Sequence, residues 1–330
     1  MPLFQPTVPP LPSSLSFAGK TAVVTGANAG LGRAASLHLA QHQISTLILA
    51  VRTQKTGEET KAALLADPVV GALQTKPTIL IFELDLARPS SVGSFAAKIV
   101  AEVPTLNILL LNAGLGGVKW RTTPETGTEI MFQVNFLSNA MLSVRLLPLL
   151  RSSAERSGSK SYICTVGSRA QPLHSYTRKP VPDTVDVFAF INDRANFGLE
   201  RYSDSKVLVS MWVRELAKRT DPAVVTVNNV CPGMVTTNLN DKQPWYIRIP
   251  VNLVFAIRAR PAEVGARTLI NAVSAGPESH GELLGDYTVW ENKFLKTEQG
   301  KKMQGRLWKE TLVAAEEFAP GSVQAAKLEG

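Results

Sequence analysis

The stretch Thr21-Ala22-Val23-Val24-Thr25-Gly26-Ala27-Asn28-Ala29-Gly30-Leu31-Gly32 decides the fold of this chain. It opens with a short apolar run typical of a buried strand, and a helical pattern begins at about Gly30. Glycines in such a turn let the backbone approach a phosphate closely, and the following helix N-terminus offers free N–H groups. We therefore assign Gly26, Asn28, Gly30 and Gly32 to a dinucleotide-binding turn. The spacing is T-G-x-x-x-G-x-G, so the turn alone could also be an ordinary strand–helix connection.

The rest of the chain repeats this alternation of strands and helices. Continuous apolar runs favour strands that are buried on both faces of a parallel sheet. We predict a Rossmann-type, doubly wound α/β fold with about seven strands and helices on both faces of the sheet. The predicted strands are Thr21–Thr25, Thr46–Val51, Thr78–Glu83, Ile108–Leu111, Ser161–Thr165, Val224–Val230 and Leu283–Val289, and the predicted helices are 30–43, 53–66, 89–102, 124–150, 199–219 and 261–275.

The domain organisation follows from the same pattern. A single domain over 17–290 is flanked by a proline-rich arm at 1–16 and a C-terminal extension at 291–330. Two segments interrupt the alternation, at about 169–198 and 236–262. Long connections inside a compact domain are usually functional or disordered, so we interpret the first as a substrate loop and the second as a lid.

Composition narrows the class of protein. The net charge is +8, yet no basic run is interleaved with aromatic residues, so we expect a solvated basic surface and no nucleic-acid partner. The two cysteines, Cys164 and Cys231, give no disulfide framework and indicate a reducing compartment. Prolines near the N-terminus would break a signal helix, and no apolar run is long enough to span a membrane. We predict a cytoplasmic protein without a metal site.

The end of the second predicted strand bears on the choice of cofactor. Ala50-Val51-Arg52 holds no carboxylate for a ribose 2′-hydroxyl. Arg52 can form forked hydrogen bonds to a 2′-phosphate, and Arg33 adds a cation directly after the last glycine. We predict NADP(H), although either arginine alone could be a surface charge.

Two further strand ends carry polar residues. Asp85 follows the third strand, where it could accept from an adenine amino group or cap a helix N-terminus. Asn112-Ala113-Gly114 ends the fourth strand, at the edge where open α/β sheets bind ligands.

A serine, a tyrosine and a lysine form the candidate catalytic group. Tyr202 and Lys206 are four residues apart in a helical stretch, so they lie on one face. An ammonium near a tyrosine lowers its pKa from about 10 and makes it a better proton carrier. Ser168, at the end of the fifth strand, would donate to a substrate carbonyl oxygen. In isolation, the pair could be a half-buried aromatic beside a surface lysine.

Six motifs recur here in a familiar order. They are T-G-A-N-A-G-L-G, L-N-A-G at 111–114, V-N-F at 134–136, T-V-G-S at 165–168, Y-S-D-S-K at 202–206 and C-P-G-M-V-T-T at 231–237. Over roughly residues 18–290 the chain resembles the short-chain dehydrogenase/reductase family. The resemblance implies Tyr202 as the acid/base, Lys206 as its partner, which also binds the nicotinamide ribose, and Ser168 as the carbonyl hydrogen-bond donor.

The resemblance carries further expectations. It implies that Asn135 holds a water in a proton relay and that Leu31 and Asn112 touch the cofactor. Val235 and Thr237 would meet its nicotinamide end. It also implies Arg145 as a basic residue toward the cofactor, although a surface charge is the alternative. Finally, it implies a homodimer or homotetramer through the helices at 124–150 and 199–219, whose apolar faces could equally be core.

The branch within the family is indicated by two departures. Thr165-Val166-Gly167-Ser168 stands where the family more commonly has N-V-S-S. The stretch from Ser168 to Tyr202 is also longer than in the compact members of the family. The chain looks like retinol-dehydrogenase-like members and, more closely, like fungal tailoring reductases of natural-product pathways.

Aromatic and aliphatic residues in the long segments suggest the substrate. A lining of this kind suits a lipophilic ketone or aldehyde. The residues could also pack the lid onto the domain, or 244–257 could make shallow membrane contact flanked by Arg248, Arg258 and Arg260. The aromatic and aliphatic residues that suggest this substrate are Trp245, Tyr246, Ile249, Leu253 and Phe255, with Phe188, Phe190 and Phe197.

Together these observations predict an NADPH-dependent reductase. Oxidation of a retinol- or steroid-like alcohol is the alternative within the class. A non-catalytic NADP-binding regulator is the alternative outside it.

Overall fold

The computed structural model describes residues 5–236 and 258–328. Its centre is one eight-stranded sheet with the strand order β3-β2-β1-β4-β5-β6-β7-β8. Strands β1 to β7 run parallel, and β8 pairs antiparallel with β7. The predicted Rossmann-type fold is confirmed. The strands are β1 Thr21–Thr25, β2 Thr46–Val51, β3 Thr78–Glu83, β4 Ile108–Leu111, β5 Ser161–Val166, β6 Val225–Cys231, β7 Leu283–Gly285 and β8 Thr288–Trp290.

The eighth strand arises from a hairpin that the sequence did not reveal. We predicted one strand over Leu283–Val289, but the chain reverses between β7 and β8. Asp286 and Tyr287 both have positive φ, 50° and 66°. Positive φ at both central residues is the pattern of a two-residue hairpin turn that matches the twist of its strands.

Helices cover both faces of this sheet. They are α1 Gly30–Gln41, α2 Gln54–Leu65, α3 Pro68–Gly71, α4 Pro89–Glu102, α5 Ser138–Ser157, α6 Val187–Asn192, α7 Arg201–Ala217, α8 Ala262–Ala272, α9 Glu298–Phe318 and α10 Ser322–Ala325. On β1, Val23 contributes to one buried cluster, whereas Ala22 and Val24 contribute to the other. This alternation explains why the strands read as continuous apolar runs.

The helix predicted at 124–150 begins later and ends later. Residues 124–127 form a turn, and helical structure starts at Ile130 because the buried carboxylate of Glu129 accepts the N–H groups of Met131 and Phe132. Phe132–Leu137 is π-helical and leads into α5. The helix ends where Gly158 adopts a left-handed φ of 62°.

The C-terminal helix α9 packs on α7. Trp308 stacks on Trp212 with ring centroids 4.9 Å apart, and the Arg219 guanidinium lies 4.2 Å from the Trp308 ring centroid. Gln304 donates to the Glu215 carboxylate at 2.6 Å. Farther along, the Ala326 carbonyl accepts from Arg151 of α5. The C-terminal helices thus pack against α5 and α7, the two helices expected at a subunit interface, and the oligomeric state stays a prediction.

Among the described residues, no helix is both long enough and apolar enough to cross a membrane.

Candidate active site

The glycine turn has the geometry of a phosphate cradle. Gly26 and Gly30 have positive φ, 65° and 50°, which favours glycine. A Cβ on Gly32 would lie 2.3 Å from the Gly26 carbonyl oxygen, so only glycine lets α1 begin this close to β1. The N-cap, Ala29, offers no side-chain acceptor, and the first turn of α1 contains no acidic residue. No side chain of the turn therefore caps the N-terminus of α1, and this helix end can accept an anion such as a pyrophosphate.

Asn112 connects the glycine turn to the end of β4. Its Nδ2 donates to the Thr25 carbonyl at 2.8 Å, and Thr25 Oγ1 accepts from the Ala113 N–H at 2.9 Å. The same Nδ2 lies 2.5 Å from where a Gly32 Cβ would stand. The amide thus joins the ends of β1 and β4, and contact of Asn112 with a cofactor stays a prediction.

The predicted phosphate-binding cations lie beside the turn. Arg33 is in the first turns of α1 and Arg52 directly follows β2, and both are exposed. Within 5–236 and 258–328, neither guanidinium forms a hydrogen bond or an ion pair. Asn28 is half-buried in the turn itself. These side chains are free to meet a ligand, and their roles stay predictions.

The roles of Asp85 and Arg145 toward a cofactor stay predictions. Asp85 Oδ1 accepts from the Ala87 N–H at 3.0 Å, and its carboxylate lies 3.8 Å from the Arg88 guanidinium. The N-cap of α4 is Arg88, so the capping alternative for Asp85 is wrong, because the chain makes a tight turn before the helix. Arg145 is half-buried in the middle of α5, well along the helix from Asn135.

Ser168, Tyr202 and Lys206 come together at the carboxyl end of β5. Ser168 is the second residue after β5, and its side chain lies close enough to the Tyr202 hydroxyl to affect the pKa of that group. Tyr202 lies in the first turn of α7, and Lys206 follows one turn later. Lys206 is 4% exposed, and its Nζ donates to the Val166 carbonyl at 2.7 Å. Its Nζ lies 5.7 Å from the Tyr202 ring centroid.

Burial sets the charges of this group. It raises the pKa of Tyr202 to about 12, although the nearby Ser168 side chain works in the opposite direction. Burial also lowers the pKa of Lys206 to about 8. The pKa of Tyr202 thus moves opposite to the direction expected from the Tyr–Lys spacing. Desolvation of the phenolate outweighs any attraction by an ammonium that burial itself disfavours.

Asn135 links the loop after β4 to the catalytic helix. Its Oδ1 accepts from the Leu115 N–H at 2.8 Å, and its Nδ2 donates to the Leu115 carbonyl at 2.9 Å and to Ser205 Oγ at 3.0 Å. A Cβ on Gly114 would lie 3.1 Å from Asn135 Oδ1 and 3.6 Å from Lys206 Nζ. Asn135 lies in the π-helical segment, a feature that recurs at functional sites. Its part in a water relay stays a prediction.

Comparisons with known proteins agree with this arrangement. The sequence model of the short chain dehydrogenase family matches residues 20–178 and 185–245. The short chain dehydrogenase macD of Penicillium terrestre is 41% identical over 314 residues, which cover 94% of this chain and 95% of that protein. The short-chain dehydrogenase/reductase tropG of Talaromyces stipitatus is 41% identical over 312 residues, which cover 94% of each. This chain belongs to the short-chain dehydrogenase/reductase family.

As a member of this family, the protein is an oxidoreductase that uses a nicotinamide cofactor and acts on CH–OH or C=O groups. Solved structures share its fold. An uncharacterized protein of Mycobacterium paratuberculosis matches with a TM-score of 0.61 at 24% identity, over 95% of each chain. RhlG of Pseudomonas aeruginosa, solved as an NADP active-site complex, matches with a TM-score of 0.61 at 21% identity, over 83% of this chain and 97% of that one.

Two further groups next to Ser168 were not found from the sequence. Cys231 Sγ accepts from the Arg169 N–H at 3.2 Å and lies near enough to Tyr202 and Lys206 to affect their pKa values. Arg169 also pairs with Asp286, whose Oδ1 is 3.0 Å from Arg260 Nη2. These ion pairs join the serine loop to the β7–β8 hairpin. The sequence gave no signal of these ion pairs, because the partners are far apart in the chain.

The residues expected at the nicotinamide end are partly described. Val235 is buried and forms a parallel bridge with Arg260. A Cβ on Gly265 would lie 2.7 Å from Val235 Cγ2 and 3.1 Å from Leu31 Cδ2, so both side chains lie close to this glycine. Thr237 and the predicted lid residues Trp245, Tyr246, Ile249, Leu253 and Phe255 lie outside the described residues.

The aromatic residues of the long loop divide into two groups. Phe188 packs against Phe132 at a centroid distance of 4.9 Å, and Phe190 is 7% exposed in the core, so both are packing residues and not a substrate wall. Phe197 packs edge-on against Trp120 at 5.6 Å. Trp120 follows β4, and sequence reasoning missed it because it lies outside the motifs.

The C-terminal extension shapes the same loop. The Glu310 carboxylate accepts the N–H groups of Val187 and Phe188, both at 2.8 Å, and so holds the start of α6. Gln299 donates to the Tyr176 carbonyl at 2.6 Å. The loop over 169–198 is therefore fixed by a segment that lies beyond the six motifs.

Proposed function

We propose that this protein is an NADPH-dependent reductase of a ketone or aldehyde on a lipophilic small molecule, and that it serves a tailoring step of secondary-metabolite biosynthesis. The observation that carries the proposal is the meeting of Ser168, Tyr202 and Lys206 at the carboxyl end of β5, where Lys206 is 4% exposed and its Nζ donates to the Val166 carbonyl at 2.7 Å. This group lies at the carboxyl edge of the sheet, as does the open phosphate turn.

The fit of the turn supports a dinucleotide, and the cations support the phosphorylated form. Among proteins of similar fold, RhlG was solved with NADP and a 7α-hydroxysteroid dehydrogenase with NADH, so the fold itself allows both. The preference for NADP(H) rests on Arg33 and Arg52, which are exposed beside the turn with no acidic residue at the end of β2. A guanidinium suits a 2′-phosphate, whereas a carboxylate there would suit the 2′-hydroxyl.

When bound, the nicotinamide supplies the hydride. Tyr202 then gives its proton to the carbonyl oxygen as the hydride reaches the carbonyl carbon, and the product is an alcohol. A pKa of about 12 keeps this hydroxyl protonated at neutral pH, which suits an acid. Ser168 donates to the same oxygen as negative charge develops there. Lys206 places a positive charge next to the tyrosinate that remains.

The raised pKa of Tyr202 also bears on direction. Oxidation of a retinol- or steroid-like alcohol needs Tyr202 as a base, and a group with a pKa of about 12 is rarely ionised at neutral pH. At neutral pH the protonated Tyr202 can act as the acid of the reduction, whereas oxidation first requires its deprotonation. A non-catalytic regulator would have no use for a complete Ser168–Tyr202–Lys206 group.

The rim of the site supports an apolar substrate. Leu199, just before Tyr202 in sequence, is 72% exposed, and Leu173 is 67% exposed in the loop after β5. With Trp120 and Phe197 they give apolar surface near the catalytic helix. For assembly, we infer that any homodimer or homotetramer uses a face other than the one α9 and α10 cover.

The test is NADPH oxidation against a panel of lipophilic ketones and aldehydes, followed at the nicotinamide absorbance. NADH and the Tyr202→Phe variant are the controls. We expect turnover with NADPH that the variant loses by at least about a hundredfold while it still binds NADPH. NADPH binding without turnover in either direction on a broad panel would contradict the reductase assignment.

A further inference from the structure

Gln5, in the proline-rich arm, bonds to a distant part of the chain. Its Oε1 accepts from the Met234 N–H at 2.7 Å, and its Nε2 donates to the Met234 carbonyl at 2.8 Å. The same Nε2 donates to the Arg258 carbonyl at 2.6 Å. One side-chain amide therefore satisfies both backbone groups of Met234, as a neighbouring strand would.

Gly233 leaves the space that the Gln5 side chain occupies. Gly233 has a φ of 81°, and a Cβ at this position would lie 2.2 Å from Gln5 Oε1. The arm has two more anchors nearby. The Pro6 carbonyl accepts from Arg260 Nη2 at 3.1 Å, and Val8 is 4% exposed. The arm is thus part of the packed structure at this point.

The segment that Gln5 holds connects both halves of the site. At one end, Cys231 accepts from the N–H of Arg169, next to Ser168. At the other end, Val235 lies close to Gly265, as does Leu31 of the phosphate turn. Met234 lies between these ends, where its carbonyl also accepts from the Arg260 N–H at 2.9 Å.

We propose that Gln5 is a positioning residue of the cofactor site: its amide fixes Met234 and so sets Val235 against Gly265, beside Leu31 of the phosphate turn. The inference rests on the proposed binding of NADP(H) at that turn. Loss of the amide leaves two backbone carbonyls and one N–H without this partner, so the segment between Cys231 and Val235 loses its register. Cofactor binding weakens, whereas Ser168, Tyr202 and Lys206 keep their own contacts.

The experiment compares the full-length wild type, Gln5→Ala and Thr7→Ala. Thr7 is an exposed residue of the same arm and serves as the matched control. The dissociation constant of NADPH is measured by fluorescence titration, with the melting temperature measured in parallel. We expect Gln5→Ala to raise the dissociation constant about tenfold, the equivalent of roughly one net hydrogen bond. The turnover number at saturating NADPH stays within about twofold of the wild type, because the chemical group is untouched.

The outcomes separate this inference from the function it rests on. If the wild type binds no NADPH, the cofactor assignment and this inference both fail. If the wild type binds and Gln5→Ala binds equally well, the inference alone fails, whatever the melting temperature does. Should Gln5→Ala fold poorly, Gln5→Met decides, since it keeps the length of the side chain but removes the amide: weaker NADPH binding supports the proposal, and wild-type affinity overturns it.

Discussion

Gly167 and Asn229 form a pair whose substitution tests how Ser168 is held. Gly167 directly precedes Ser168, and Asn229 lies on the neighbouring strand β6. A Cβ on Gly167 would lie 2.2 Å from Asn229 Oδ1 and 2.7 Å from Asn229 Cγ. Real Cβ atoms do not approach this closely, so in Gly167→Ala either the serine loop or the Asn229 amide has to move.

The Asn229 amide is not free to move. Its Nδ2 donates to Ser210 Oγ at 2.8 Å, and Ser210 also accepts from Gln171 at 2.8 Å. Gln171 in turn accepts from Asn292 Nδ2 at 2.8 Å. Moving the amide breaks this buried network, and the alternative is to move the residue before Ser168.

The magnitude follows from these two options. Overpacking a filled site costs about 1–3 kcal/mol, and a lost buried hydrogen bond adds about 1 kcal/mol. We expect Gly167→Ala to lower the free energy of unfolding by about 2–4 kcal/mol. A displacement of about 1 Å at Ser168 would lower the turnover number roughly a hundredfold. Gly167 is not among the glycines with positive φ, so the alanine backbone is unstrained and the cost comes from Asn229.

The assay is a double-mutant cycle of Gly167→Ala and Asn229→Ala. Urea unfolding gives the free energies, and NADPH oxidation with the best carbonyl substrate of the panel gives the rates. Because Asn229→Ala removes the clashing amide, we expect the double variant to be about 2 kcal/mol more stable than the sum of the single changes predicts, with activity largely recovered. Additive losses, or a fully active and stable Gly167→Ala protein, would refute this reasoning.

Three other perturbations follow from the structure. The rate of reduction should fall as pH rises through about 8, because Lys206 loses its proton there while Tyr202 stays protonated until about pH 12. A pH–rate profile that stays flat to pH 10 would contradict this prediction. Arg52→Ala should weaken NADPH binding by about tenfold or more and leave NADH binding nearly unchanged, which titration with both cofactors checks; equal losses would indicate a structural role. Trp308→Ala should lower the free energy of unfolding by about 3–5 kcal/mol, since Trp308 is 4% exposed and stacks on Trp212; unchanged urea unfolding would show that α9 adds little.

The inner strands were predictable because burial on both faces leaves a local signal. The bounds of β1 to β4 agree with the apolar runs in the sequence. The start of the helix at Ile130 had no such signal, since it depends on Glu129, whose own N–H donates to Asn192 Oδ1 at 2.8 Å. The β7–β8 hairpin lacked the usual Asn-Gly or Asp-Gly pair. Its Asp286 is held by Arg169 and Arg260, which are distant in sequence.

In the candidate site, the spacing of Tyr202 and Lys206 predicted that they lie close together, but it did not predict the direction of the Tyr202 pKa shift. The four-residue interval between Tyr202 and Lys206 put both on one face of α7, and the structure has them there. The direction of the Tyr202 pKa depends on how deeply the chain buries both groups. That burial comes from segments such as Val166 and Cys231, whose contact with the pair is a property of the folded chain. A pairwise rule about neighbouring charges could not anticipate it.

The residues that would do the chemistry lie in the shared motifs, whereas several of the contacts that hold them come from outside. Asn292, just beyond the last strand, reaches the serine loop through Gln171. Gln5 reaches the loop after β6 from the N-terminal arm. Motif residues fix which groups meet, and the flanking segments fix how firmly they are held. Because rates respond steeply to small displacements of the reacting groups, a change at Asn292 should lower turnover, whereas a change at Gln5 should weaken cofactor affinity, with every motif residue intact in both cases.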